Sequence, residues 1–412
     1  MTFRIALSGL NAASADLKAT GNNIANAGTI GFKGSRTEFV DIFATGYGGI
    51  SATAIGGGTR LSGVTQQFSQ GNIDFTDNNL DLAINGQGFF VLDNDGTQLL
   101  SRAGAFKVDR DGFAVNSSGS RLQIFPATLS ATGTTFDTGR LTNLQLSTSE
   151  GAPATTTEVT SILNLDAGEA LPVSAFDIAN PLPDQYNAST SLTVYDSLGT
   201  QHTATQYFVK TGANTWNNYL YIDNTLVTTG GADFGTLTFS PDGSLATPAG
   251  GIIPFDNYTP TTGAQAMQLD LNFGQATQYG SAFSVSTLRQ DGFSAGRLSG
   301  IDIDAEGIIS ARYTNGQSLT LGKVAMANVS NPQGLSPQGD TVWGLTYSAG
   351  DLLLGEAGTS SFGLLQSGAL ESSNVDIAAE LVNLITAQRN YQANAQVIST
   401  ADTVTQTIIN IR

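Results

Sequence analysis

At 412 residues the chain is long enough for two to four domains, and its formal charge of −17, concentrated in an acidic middle, argues against nucleic-acid binding, which needs basic patches for phosphates. It has no cysteine, so disulfides, thiolate catalysis and cysteine metal sites are excluded. Charged residues make up only 12% and glycines number 48, a composition that suits strands joined by tight turns better than disorder.

The N-terminal segment reads as an amphipathic helix. Phe3, Leu7, Leu10, Ser14, Leu17, Gly21 and Ile24 recur in steps of four and three, a mean period of 3.5 residues. The spacing predicts a helix over residues 3–26, with Gly28 as a left-handed C-cap. Its start is too short and too broken by Ser8 and Gly9 for a signal peptide, and no stretch in the chain has the apolar length of a membrane span. A Gly-rich linker or hinge follows over residues 29–70, with Gly31, Gly34, Gly46, Gly48, Gly49 and Gly56-Gly57-Gly58.

From Gly71 the pattern turns to strands. Residues 80–84 alternate, residues 88–92 are apolar, Asn94-Asp95-Gly96 supplies a hairpin turn, and Asp111-Gly112 supplies a second. Residues 141–284 differ in texture: they hold eight of the eleven prolines and twelve carboxylates against Lys210 alone. Residues 145–284 therefore read as a β-domain inserted into another, whose halves are residues 71–144 and 285–361, with residues 362–372 as the return linker. The final helix is expected from Ser373, where Ser373 and Asp376 have capping-box spacing. Its stripe comprises Ile377, Leu381, Leu384, Gln388, Tyr391, Ala395, Ile398, Asp402, Thr405 and Ile409.

The predicted fold class is α+β, mainly β. Long terminal helices (residues 1–28 and 373–412) form a coiled-coil-like pair and close two nested β-rich domains. Neither stripe can be buried within its own helix, so both ends need helical partners, first each other and then further copies. The polar breaks at Gln388, Asp402 and Thr405 suit a multi-partner wall better than a dimeric coiled coil.

The residues give little support to catalysis. His202 is the single histidine and reads as an exposed strand residue, and no nucleophile-elbow glycines flank a serine. Three acidic turns beginning at Asp93, Asp109 and Asp304 lack the full spacing of a calcium loop, and their Asp and Gly residues are explained by turn geometry. No catalytic residue, metal or cofactor is predicted.

The end of the first helix carries a more specific signal. Asn22-Asn23-Ile24-Ala25-Asn26-Ala27-Gly28-Thr29-Ile30-Gly31-Phe32-Lys33 resembles the N-terminal signature of the flagellar rod and hook axial proteins. Residues 380–394, containing Ala387-Gln388-Arg389-Asn390-Tyr391, resemble its C-terminal counterpart. The large insertion and the segment Gly292-Phe293-Ser294-Ala295-Gly296 are similar to the hook branch rather than the distal rod. The resemblance implies a subunit that self-assembles into a curved tube joining rod to filament, with the terminal helices around an export channel and the β-domains as outer layers. The motif residues would be Asn22, Asn23, Ala25, Asn26, Thr29, Gly31, Phe32 and Lys33. The assembly interface would be Phe3, Leu7, Leu10, Leu17 and Ile24 with Ile377, Leu381, Leu384, Tyr391, Ile398 and Ile409. Implied partners are other copies of the chain, the distal rod, hook cap and hook-filament junction proteins, and the flagellar type III export apparatus, which would deliver it outside the cell. A straight distal-rod subunit is the nearest alternative, and a secreted surface enzyme or adhesin is the alternative of another class.

Overall fold

The computed structural model describes residues 2–42, 56–130, 133–146, 150–359 and 361–410. Gly46, Gly48 and Gly49 of the expected linker lie outside the described residues. The chain forms two compact units, one of residues 1–146, 300–311 and 318–412, the other of residues 147–299 and 312–317.

In the first unit, helix α1 (Thr2–Ala25) and helix α2 (Ile377–Asn410) accompany a mostly antiparallel β-region. Phe89–Asn94 and Thr97–Ser101 form a hairpin whose two-residue turn, Asp95-Gly96, has both φ angles positive (49° and 89°). That turn matches the right-handed strand twist, which explains its Asp-Gly sequence. Phe89, Val91, Leu100, Phe125, Ala325, Ala327 and Trp343 make the core. Leu82, Ala83 and Ile84, expected to alternate, are all buried because Leu82–Asn85 pairs with the returning strand Leu364–Ser367.

Structure also enters the expected linker. Ser35–Asp41 and Thr59–Gln66 pair antiparallel, with a bulge at Glu38/Phe39. Phe68 then packs edge-on against Phe89 and Trp343, at ring-centroid distances of 5.7 and 5.5 Å, and the Trp343 indole N–H donates to Gln66 Oε1 at 2.6 Å. The sequence concealed this because polar strand positions and glycines resemble a flexible connection.

The second unit contains a five-stranded and a six-stranded sheet, and one core draws on both. Val159, Leu163, Leu165, Leu271 and Phe273 come from one side, and Val194, Phe208, Trp216, Leu220 and Leu237 from the other. Strand Gln201–Gly212 shows the period-2 logic: His202, Ala204, Gln206 and Phe208 are buried, whereas Thr203, Thr205 and Tyr207 are not. Strand Ser284–Gln290 pairs with Glu158–Asp166, so this unit continues to Ser299 instead of ending at Ser284.

His202 is buried, not exposed. Its Nδ1 lies 2.6 Å from Asp223 Oδ2 and its Nε2 3.2 Å from Asp196 Oδ2, with the Tyr258 ring 6.1 Å away. Burial disfavours the charged ring, but the Asp223 and Asp196 carboxylates prevail and raise its pKa. Burial works against the Asp196 carboxylate too; hydrogen bonds from the Thr200 amide, Thr262 hydroxyl, His202 and Leu198 amide overcome it and lower its pKa to about 2. A raised histidine stabilises fully below its unfolded value of 6.5, and that stability is lost as pH rises through the folded value. A lowered aspartate stabilises fully above 3.8 and loses its contribution as pH falls towards 2. The second unit should therefore melt highest between roughly pH 4 and 6.5, with the melting temperature falling in alkali as His202 loses its proton. Calorimetry of wild type and His202→Gln across pH checks this; an alkaline loss equally large in the variant would refute it.

Candidate assembly surface

The two terminal helices meet in an antiparallel sense. Gly9 lies against the Asn394 side chain, and Asn23 Nδ2 donates to Glu380 Oε1 at 3.2 Å. Fourteen residues forward along α1 thus correspond to fourteen residues back along α2. The absence of a Cβ at Gly9 admits Asn394: an added Cβ would lie 2.5 Å from Asn394 Oδ1. The residues α1 buries are Ala6, Ala13, Thr20 and Asn23, mostly small, so neighbouring backbone can approach closely.

This buried face is offset from the apolar stripe. Phe3 is 51% exposed and Leu7 is exposed, while Leu10, Leu17 and Ile24 are half-buried. On α2, Ile377 (52% exposed), Leu381, Tyr391 and Ile409 (66% exposed) face outwards, and Leu384 and Ile398 are half-buried. Val382, Ile385, Val397 and Val404 add apolar surface on other sides of α2. Among its described residues only Ala387 is buried. A helix of 34 residues, roughly 51 Å at the standard rise, thus has apolar side chains on several faces and very little cover.

Two cap assignments change. Helix α2 begins at Ile377, with Asp376 Oδ1 accepting from the Ala378 and Ala379 amides at 2.8 and 3.3 Å, so Asp376 caps it without a box from Ser373. At the end of α1 the left-handed glycine is Gly31 (φ 67°), not Gly28, because a turn closed by Asn26 and Thr29 delays the chain reversal. A Cβ at Gly31 would lie 2.5 Å from the Ala103 amide nitrogen, whereas one at Gly28 meets open space. Gly31→Ala should accordingly cost about 2–4 kcal/mol and Gly28→Ala stay within about 0.5 kcal/mol. Denaturant melts decide this, and equal costs would contradict it.

The signature residues hold the turn where α1 meets the strands. Asn23 is buried; its Nδ2 donates to Ser35 O at 2.8 Å and its Oδ1 accepts from the Ser35 amide at 2.9 Å. Asn26 Nδ2 donates to Asn22 O, and the Thr29 hydroxyl donates to Asn26 Oδ1. Asn22 and Ala25 are exposed and Phe32 is half-buried. Lys33 is fully buried and pairs with Glu371 at 2.6 Å; Arg102 approaches the other carboxylate oxygen at 3.3 Å. Burial, opposed by Glu371, lowers the pKa of Lys33 and of Arg102. Sequence reasoning missed Glu371, Arg102 and Asn374. Asn374 Oδ1 accepts from the Gly34 amide while its Nδ2 donates to Gln67 O. Only the position of Asn374 just before a helix hinted at such a role.

The acidic turns have internal uses for their carboxylates. Asp93 accepts from the Gly96 amide, Asp109 from the Asp111 and Phe113 amides, and Asp304 from the Ile308 amide. No helix among the described residues is long and apolar enough to cross a membrane.

A mostly β chain with a helix near each end, both rich in uncovered apolar side chains, is the build of a structural assembly subunit. Family profiles match along its length: Flagella basal body rod protein at residues 3–33, Flagellar hook protein FlgE/F/G D1 domain at 83–159, Flagellar basal body protein FlaE D2 domain at 164–293, and Flagellar basal body rod FlgEFG protein C-terminal at 366–411. The chain is 39% identical to the flagellar hook protein FlgE of Escherichia coli, 38% to that of Salmonella typhimurium and 34% to that of Rhizobium meliloti. These alignments cover 100% of this chain and 100%, 100% and 98% of the respective relatives. The crystal structure of Helicobacter pylori flagellar hook protein FlgE2 shares the fold at TM-score 0.54 and 14% identity, covering 73% of this chain and 100% of that one. The chain belongs to the flagellar hook protein family and is a structural subunit of the hook.

Proposed function

We propose that many copies of this chain polymerise into the curved hook tube, with α1 and α2 pairing as a coiled-coil-like unit in its inner wall around the export channel. The observation that carries this reading is the uncovered apolar surface of α2, whose one buried residue among those described is Ala387. Burying apolar surface gains roughly 25 cal/mol per Å², and only neighbouring copies offer a repeated surface for faces in several directions. The interface comprises Phe3, Leu7, Leu10, Leu17 and Ile24 of α1 with Ile377, Leu381, Leu384, Tyr391, Ile398 and Ile409 of α2. The role is mechanical, not enzymatic. The distal rod, the hook cap and the hook-filament junction proteins cover the ends of the polymer, and the type III export apparatus delivers the chain outside the cell. Electron microscopy of the purified full-length chain under polymerising conditions tests this. Curved hollow tubes support it; straight tubes would indicate a rod subunit, and a chain that stays monomeric under all conditions would overturn it.

A further inference from the structure

Three separate pieces of chain converge on the carboxylate of Glu371, itself on a fourth. Its Oε1 accepts from Lys33 Nζ at 2.6 Å and from the Gly71 amide at 2.9 Å, and its Oε2 accepts from Arg102 Nη1 at 3.3 Å. The Glu371 carbonyl accepts from the Gly31 amide at 2.8 Å, and Lys33 Nζ also donates to Ser69 O at 2.8 Å. Residues 31–33 leave α1, 69–71 enter the β-region, 102 belongs to that region, and 371 precedes α2. One carboxyl group thus ties both routes between the helices and the strands.

The glycines at this point are confined. A Cβ on Gly31 would strike the Ala103 backbone and one on Gly71 would strike the Ser372 carbonyl. Neither position has room for a side chain, so the backbone is closely packed at both. The Lys33 and Glu371 side chains are 0% exposed and that of Arg102 is 5% exposed, with its guanidinium 5.3 Å from the Phe89 ring centre and its Nε without a partner. Such a cluster is a poor way to gain stability, since apolar residues of similar volume often replace buried ions without loss. It is a good way to specify one geometry, because three charged groups satisfy one another in very few arrangements.

We propose that Glu371, Lys33 and Arg102 are positioning residues that set the direction in which α1 and α2 leave the β-region, and thereby the geometry of the assembled tube. This rests on the assembly reading above. In consequence, bending of the subunit does not occur at Gly31 or Gly71.

The test uses the full chain, whose lack of cysteine allows spin labels to be placed at Lys18→Cys on α1 and Lys107→Cys in the β-region. Lys33→Met/Arg102→Met/Glu371→Leu replaces the cluster with apolar groups. In the monomer its label–label distance distribution should widen at least twofold while its melting temperature stays within a few degrees of wild type. Its tubes should be absent or changed in helical repeat. Lys33→Arg, which keeps the ion pair, should restore the narrow distribution and the wild-type repeat. A narrow distribution in the triple variant, or a wide one with tubes of unchanged repeat, would overturn the proposal. Should the triple variant not fold, Glu371→Gln measured below its own transition takes its place; a narrow distribution or failure to fold there means a purely structural role and also overturns it. Wild-type protein that forms no tubes would defeat the assembly reading while leaving the monomer distances interpretable.

Discussion

Leu381→Asp is expected to leave the subunit folded and monomeric and to abolish tube formation. Leu381 is exposed on α2 of the isolated chain, so a carboxylate there remains in water and melting should change by no more than about 0.5 kcal/mol. In the tube the same carboxylate would be buried among apolar neighbours, at an effective cost of several kcal/mol for an unpaired ion. A penalty of about 3 kcal/mol per subunit raises the concentration needed for assembly by roughly 150-fold. Leu10→Asp, at a half-buried position of α1, should act in the same way with a slightly larger loss of monomer stability. Sedimentation and electron microscopy across a concentration series check both. If either variant polymerises at the wild-type concentration, the inner-wall assignment is wrong.

Glu371→Ala should cause the larger loss of subunit stability, about 3–5 kcal/mol, because it leaves Lys33 and Arg102 buried without a counter-charge. Lys33→Met should cost less, since the Glu371–Arg102 pair remains neutral together. The pH dependence supplies a second check. Burial already lowers the Lys33 pKa in the native protein, and removing Glu371 takes away the partner that opposes this shift. The folded variant then holds fewer protons than its unfolded chain, so its stability should rise as pH increases through the depressed value. Urea melts of the two variants at several pH values measure this; equal costs, or stability that falls with rising pH, would show that the cluster does not act through charge.

Much of this protein was legible in its residues. The 3.5-residue stripes marked both helices, Asp95-Gly96 marked its hairpin, and the signature around Asn22 to Lys33 pointed to the axial-protein family. The reading of the joint was poorer. Gly31 read as part of a Gly-rich linker or hinge, and its close approach to the Ala103 backbone stayed hidden because glycine signals both freedom and close approach, which cannot be told apart locally. Glu371 and Arg102 carried no signal, since a single acid and a single base lie 269 residues apart in the chain. His202 was misplaced for a similar reason: its strand alternates, but the partners that make burial tolerable, Asp196 and Asp223, come from turns whose proximity depends on sheet register.

Periodicity and local turn chemistry were enough to mark both helices, the hairpin at Asp95-Gly96 and the apolar side chains that the helices would carry, but not the strand pair Ser35–Asp41 and Thr59–Gln66, whose polar positions read as a linker. Tertiary structure alone decided which face each helix buries and what holds the helices to the strands. The most buried residues of α1 are small or polar, Ala6, Ala13, Thr20 and Asn23, and Gly9 admits the Asn394 side chain of α2. Of the stripes expected from the sequence, Phe3, Leu7, Ile377, Leu381, Tyr391 and Ile409 stay exposed, while Leu10, Leu17, Ile24, Leu384 and Ile398 are half-buried, a division that depends on which elements pack beside each helix.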